Sequence, residues 1–286
     1  MSKRLSPIPA SSAAARRRDA FSLIEIMVAM SLLTVIVVGL LATLNQTQRA
    51  LKASGSQTDA LENGRAFLNL LGRELQETVI FPEGMSNAFR FASVSRGPAA
   101  LVQTVPGSSA DRTNQLESFL FTVRDKESNG WKTVFYDFRK GDFDDRGIVS
   151  LYRSESRVPY RASLDALPAL QKQFLSWNYS AENNTNEFSR MLDGVAHLRF
   201  YVYDQNGLLI PQWTQSGSSG YFFTNQPNAT TNHFPNTIEV EFGILDSDVL
   251  RRIKGYGTLA SIQDYLRDRA GNIQVFRQRI TIPTGP

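Results

Sequence analysis

Cysteine is absent from the 286 residues, which excludes disulfides, thiolate metal centres and a cysteine nucleophile. Histidine is scarce, with only His197 and His233. No G-x-S-x-G elbow supports a serine nucleophile beside either of them, and no phosphate-cradling Walker loop occurs. Gly255-Tyr-Gly257 lacks the third glycine and the preceding strand of a dinucleotide fingerprint, so it reads as a turn. Net charge is absent from most of the chain as well. Residues 1–20 carry Lys3, Arg4, Arg16, Arg17 and Arg18 against Asp19, which accounts for the whole net charge of +4. The remaining residues are neutral overall, so the composition offers no basic face for nucleic acid.

What the chain does have is one long apolar run. Phe21 to Leu44 contains a single charged residue, Glu25. As a helix at about 1.5 Å per residue it would be roughly 36 Å long, enough for a hydrocarbon core of about 30 Å. The basic residues before it place residues 1–20 in the cytoplasm and residues 45–286 outside, by the positive-inside bias. The run is too long for the core of an ordinary secretory signal, and LATLNQTQ after it offers no A-x-A-like cleavage site. A twin-arginine signal would want its aromatic at Ala20, one place before Phe21. A plain anchor explains length and flank but not the carboxylate, which costs about 3 kcal/mol within an apolar span and usually faces a partner.

Ala20-Phe-Ser-Leu-Ile-Glu25-Ile-Met-Val-Ala resembles the class III signal of type IV pilins and type II secretion pseudopilins. The resemblance implies that prepilin peptidase cuts between Ala20 and Phe21, that Phe21 is then N-methylated, and that Glu25 neutralises the N-terminal ammonium of an adjoining subunit. Most relatives have Gly before the cut, where this chain has Ala20. The implied partners are prepilin peptidase, other pilin or pseudopilin subunits and the inner membrane, with the folded part in the periplasm. The implied role is structural and non-enzymatic, without a cofactor. Removing 20 of the 286 residues leaves 266, large for a repeating major subunit, which favours a minor one. The rival reading is an anchored periplasmic binding or hydrolytic domain that joins no filament.

Beyond Leu44 the chain turns polar, and Leu61, Leu68, Leu71 and Leu75 share one helical face until Pro82. The pattern predicts a nearly continuous helix from about 22 to 80, with Gly55 as its soft point; a flexible linker over 45–57 is the alternative. Strands are expected at 118–123, 131–138, 148–153, 196–203, 237–245 and 274–282, with short helices at 164–174 and 259–267. Helix first and antiparallel strands after predict an α+β fold, with the helix laid on the sheet. The expected divisions are a leader at 1–20, a span at 21–44, an amphipathic continuation at 45–82 and a β-rich domain at 83–286. Leu192-Asp-Gly-Val195, Trp213, Phe234-Pro-Asn and the strand ending Leu-Tyr-Arg153 resemble the J-type minor pseudopilins of type II secretion.

Two loops hold candidate chemistry. Asp142-Phe-Asp144-Asp145-Arg-Gly147 could offer hard oxygens to calcium, but Arg153 stands where an EF-type loop has its bidentate Glu, and Asp and Gly equally suit a hairpin turn. Tyr221–Phe223, an aromatic island amid Gly, Ser and Asn, reads either as a contact surface or as aromatics tucked against the sheet.

Overall fold

The computed structural model describes residues 22–78, 89–95, 101–105, 107–127, 129–139, 147–159, 166–171, 188–215, 218–224, 235–256 and 259–283. The fold is α+β, a long N-terminal helix followed by a curled antiparallel sheet. The chain divides into two compact units, Met1–Lys52 and Ala53–Pro286.

Helix α1 spans Leu23–Gln76 and supplies residues to both units. Residues 45–57 are helical, so no linker interrupts it there. In the second unit its buried face consists of Ser56, Ala60, Gly64, Phe67, Leu68, Leu71, Gly72 and Leu75. Spacings of three and four put these residues on one stripe. Leu61 is only half-buried, because the sheet meets the helix through Ala60 and Gly64 instead. A Cβ on Gly64 would come 2.3 Å from the Phe276 ring, so the helix backbone itself lies against that aromatic.

Eleven strands follow among the described residues: β1 (Phe89–Ser95), β2 (Val102–Gln103), β3 (Arg112–Thr113), β4 (Glu117–Asp125), β5 (Gly130–Arg139), β6 (Val149–Val158), β7 (Ser189–Tyr203), β8 (Trp213–Gln215), β9 (Ser218–Thr224), β10 (Thr237–Leu245) and β11 (Ile273–Thr281). Nine of them form one sheet in the order β11-β10-β7-β6-β5-β4-β1-β9-β8, while β2 and β3 form a separate ribbon. Short helices are α2 over residues 166–171, α3 (Ser247–Ile253) and α4 (Leu259–Arg267). The six expected strands and the helix at 259–267 are present; β1, β2, β3, β8, β9 and α3 are additional. Tyr221, Phe222 and Phe223 lie in β9 and are buried, which bears out the reading of that island as aromatics tucked against the sheet. Its Gly- and Ser-rich flanks hid a strand whose Gly220 touches the β1 backbone, where a Cβ would come 1.8 Å from the Ser93 carbonyl oxygen.

Alternation along the strands gives the sheet two apolar faces. Phe119, Phe121, Tyr136, Phe138, Leu198, Phe200, Val240 and Phe242 form the larger core with Phe67, Leu68, Leu71 and Leu75 of α1. Phe67 meets Phe242 at 4.7 Å and Tyr136 at 6.0 Å between ring centroids. On the opposite face α3 and α4 bury Val249, Ile253, Ile262 and Leu266 against Ile148, Ala196 and Ile273. Two polar joints register α1 on this framework. Glu74 accepts bonds from Tyr136 Oη at 2.6 Å and from Arg153 Nη2 at 2.9 Å. Ser56 Oγ accepts from the Asp248 backbone N–H at 3.1 Å, capping α3 where Asp246 makes no side-chain cap bond.

Curling is concentrated at β7. Its first part pairs with β6 and its second with β10, and Gly194 takes a φ of +73° between them. The far side of the second part meets the lead-in to β4 through a parallel bridge between Leu116 and Leu198. Glu117 sits at that junction, fully buried. Its carboxylate accepts from the Phe200 backbone N–H at 3.2 Å, Ser93 Oγ at 3.2 Å and Gln212 Nε2 at 2.9 Å.

Burial lifts the Glu117 pKa to about 7 against the pull of those donors and Arg199. A value raised on folding means that the stability contribution is complete below the ordinary 4.5 and is lost as pH rises through about 7. The expected loss is roughly 3 kcal/mol at most. Glu117→Gln, neutral at every pH, should therefore gain on the native chain across that window. Denaturant midpoints of both proteins at matched pH check this; a pH-independent difference would refute it.

Candidate functional site

The first turn of α1 closes on itself. Ser22 Oγ accepts from the Glu25 backbone N–H at 3.2 Å, and Glu25 Oε2 accepts from the Ser22 backbone N–H at 3.3 Å. This is the reciprocal capping box of an S-x-x-E sequence, with the hydroxyl at the N-cap and the carboxylate three residues on. It satisfies two donors of the helix start and sets a negative group at the positive end of the helix dipole. Glu25 Oε1 accepts no bond among the described residues.

From Ser22 to Gly55 every residue is exposed, including Leu23, Ile24, Met27, Val35, Ile36 and Leu40. The helix is long and apolar enough to cross a membrane. Its other polar side chains are silenced locally. Ser31 Oγ donates to the Val28 carbonyl at 2.8 Å, Thr34 Oγ1 to Met30 at 2.8 Å and Thr43 Oγ1 to Gly39 at 2.9 Å. Such back-bonding removes the cost of an unpaired hydroxyl in an apolar medium. Glu25 is thus the one ionisable side chain of the run from Leu23 to Leu44, and one of its oxygens is not used by the box.

Ala20 and Phe21, the residues flanking the expected cut, lie outside the described residues, as do Asp142, Asp144, Asp145 and His233. Among the described residues no three His, Asp or Glu side chains gather to hold a metal. His197 is described and buried on β7, with Nδ1 accepting from the Gln115 backbone N–H at 3.0 Å. Burial lowers its pKa to about 4. The capping role of Ser22 was readable from the spacing Ser22-Leu-Ile-Glu25. The anchoring of Arg153 and Tyr136 on Glu74 was not, since those partners lie 79 and 62 residues away.

Residues 15–41 match the prokaryotic N-terminal methylation motif. No curated protein matches the chain. The chain therefore carries a class III, prepilin-type signal, and such a signal implies processing by prepilin peptidase.

Ser22→Ala should remove the box and fray the first helical turn, at a cost of about 1 kcal/mol. Amide exchange at residues 23–26 in detergent micelles should quicken about fivefold, with the helix beyond Ser31 unchanged. Unchanged exchange in the first turn would mean that the box does not hold it.

Proposed function

We propose that the chain is a non-enzymatic minor subunit of a pilin-like filament, a type II secretion pseudopilus or a type IV pilus. The observation that carries this reading is Glu25, a carboxylate with an unused oxygen at the head of the exposed apolar part of α1, inside the matched signal. The helix enters the inner membrane with residues 1–20 in the cytoplasm and the sheet in the periplasm. Prepilin peptidase cuts between Ala20 and Phe21, and Phe21 is methylated at its new amino group. Ala20 is small enough for that cut.

In the filament the Phe21 ammonium of one subunit meets Glu25 of a neighbour. Each charge is costly alone in an apolar surround, and breaking such a pair costs about 3–5 kcal/mol. That penalty makes the pair a register device between stacked helices. Before assembly the capping box occupies Oε2 and gives the carboxylate a defined position at the helix head. The J-type assignment rests on loose motifs, Leu192-Asp-Gly-Val195 with Trp213, Phe234-Pro-Asn and the strand ending Leu-Tyr-Arg153, and a place at or near the filament tip goes with the minor role. The first of these contains the left-handed Gly194, next to the Val195 that pairs with both β6 and β10.

The N-terminal peptide mass of the protein from its native membrane tests the processing. A methylated start at Phe21 is expected; a start at residue 1 would favour the anchored-domain reading. Glu25→Gln should leave membrane insertion intact and reduce incorporation into filaments by about a hundredfold or more. Incorporation at the native level would sink the pairing role.

A further inference from the structure

Two strands end the nine-stranded sheet, and they are unlike. β8 has three residues, whereas β11 has nine and pairs with β10 at nine consecutive positions without a bulge. β11 contains no proline. Natural sheets shorten, bulge, interrupt or cover such an edge, because an open ladder invites another chain.

The bonds at its two ends fix which groups the ladder leaves open. Asp246 N–H donates to the Asn272 carbonyl at 3.1 Å, and Ile282 N–H donates to the Asn236 carbonyl at 2.9 Å. Both are even-numbered pairs that continue the β10–β11 register. Bonded and non-bonded pairs alternate along an antiparallel ladder, so the even residues of β11 are those bonded to β10. The backbone groups of Val275, Arg277, Arg279 and Thr281 therefore point away from the sheet, and among the described residues nothing bonds to them. Side chains alternate as well. Phe276, Gln278 and Ile280 turn toward Gly64 and Gly72 of α1, while Val275, Arg277, Arg279 and Thr281 are exposed.

The charge on this edge has one sign. Arg277 and Arg279 are the charged residues of β11. Arg277 Nη2 donates to Glu241 Oε1 at 2.9 Å, and Arg279 Nε donates to Glu239 Oε2 at 2.6 Å. The arginine side chains are 67% and 68% exposed against 11% and 14% for their partners, so the cations stand outside the carboxylates. Full overlap with a second β11 would set Arg277 against its own counterpart, and like charges directly opposite destabilise a pair. An incoming strand with carboxylates two residues apart would instead meet both cations, as Glu239 and Glu241 do from the other side.

We propose that β11 is a docking edge for an extended acidic segment of another protein. The segment adds to the sheet as a further strand, with Asp or Glu at alternate positions facing Arg277 and Arg279. Main-chain bonds hold it and the two arginines select it. The site is independent of the filament reading, since it needs only the sheet edge.

Residue-resolved amide exchange of the full-length protein in detergent micelles supplies the test. The probes are an acetylated nonapeptide of alternating valine and glutamate and its valine–lysine counterpart. In the free protein the amides of Val275, Arg277, Arg279 and Thr281 should exchange faster than those of Phe276, Gln278 and Ile280. The glutamate peptide, at about ten times its dissociation constant, should slow the outward set about tenfold. The lysine peptide should leave that set unchanged. Val275→Pro removes an outward N–H and no bond to β10, and should weaken binding by about tenfold, with near-ultraviolet dichroism reporting on folding. Absence of protection by the glutamate peptide in the native chain overturns the docking edge, whatever the variant does. Equal protection by both peptides overturns the acidic partner. Protection that appears without peptide and grows with protein concentration means pairing with a second copy, and overturns the proposal as well.

Discussion

Between Ser56 and Leu75 helix α1 gives one face to the sheet, and it offers small residues where the sheet comes nearest. Gly64 and Gly72 admit the helix backbone to β11, and Gly64 lies on the ring of Phe276. That closeness brings Phe67 onto Phe242 and Tyr136, and it carries Glu74 to Arg153. It also brings Ser56 to the open end of α3. A larger side chain at residue 64 would lift the helix and loosen these contacts together, since interiors packed to crystal-like density have no slack to absorb the change.

The polar groups are handled differently in the two units. In the globular unit Glu117, Glu74 and Glu241 each take donors from other strands or loops, so each ties together elements distant in the chain. In the first unit the polar side chains bond to their own turn, Ser31, Thr34 and Thr43 through carbonyls one turn back and Glu25 through Ser22. A segment built for an apolar medium has no strand neighbours to satisfy it. Local bonding is the available answer, and Glu25 stands apart as the ionisable group of the run, with Oε2 in the box and Oε1 outside it.

Much of this was legible before any coordinates. The length and purity of the run after Arg18, the carboxylate five residues into it and the Leu68-Leu71-Leu75 stripe locate the helix and its two halves. Alternating aromatics such as Phe119, Phe121, Tyr136 and Phe138 mark the meander β4 to β5. β9 escaped because Gly220 and its serine neighbours look like a loop; only contact with the β1 backbone explains the glycine. Leu61 was placed on the buried stripe because size was read as burial, whereas the close approach of β11 selects Gly64.

The amino-acid sequence by itself determined the prepilin-type signal, the long helix, its capping box and the strand segments. Each of these rests on neighbours within a few residues, where periodicity and spacing act directly. Only the tertiary structure decided that β7 lies between β6 and β10, that Glu117 reaches Phe200 across 83 residues, and that His197 Nε2 comes within 3.7 Å of Glu241. These depend on which strands lie side by side. Strand order follows from how the two sheet faces are buried, and no local pattern of residues encodes it.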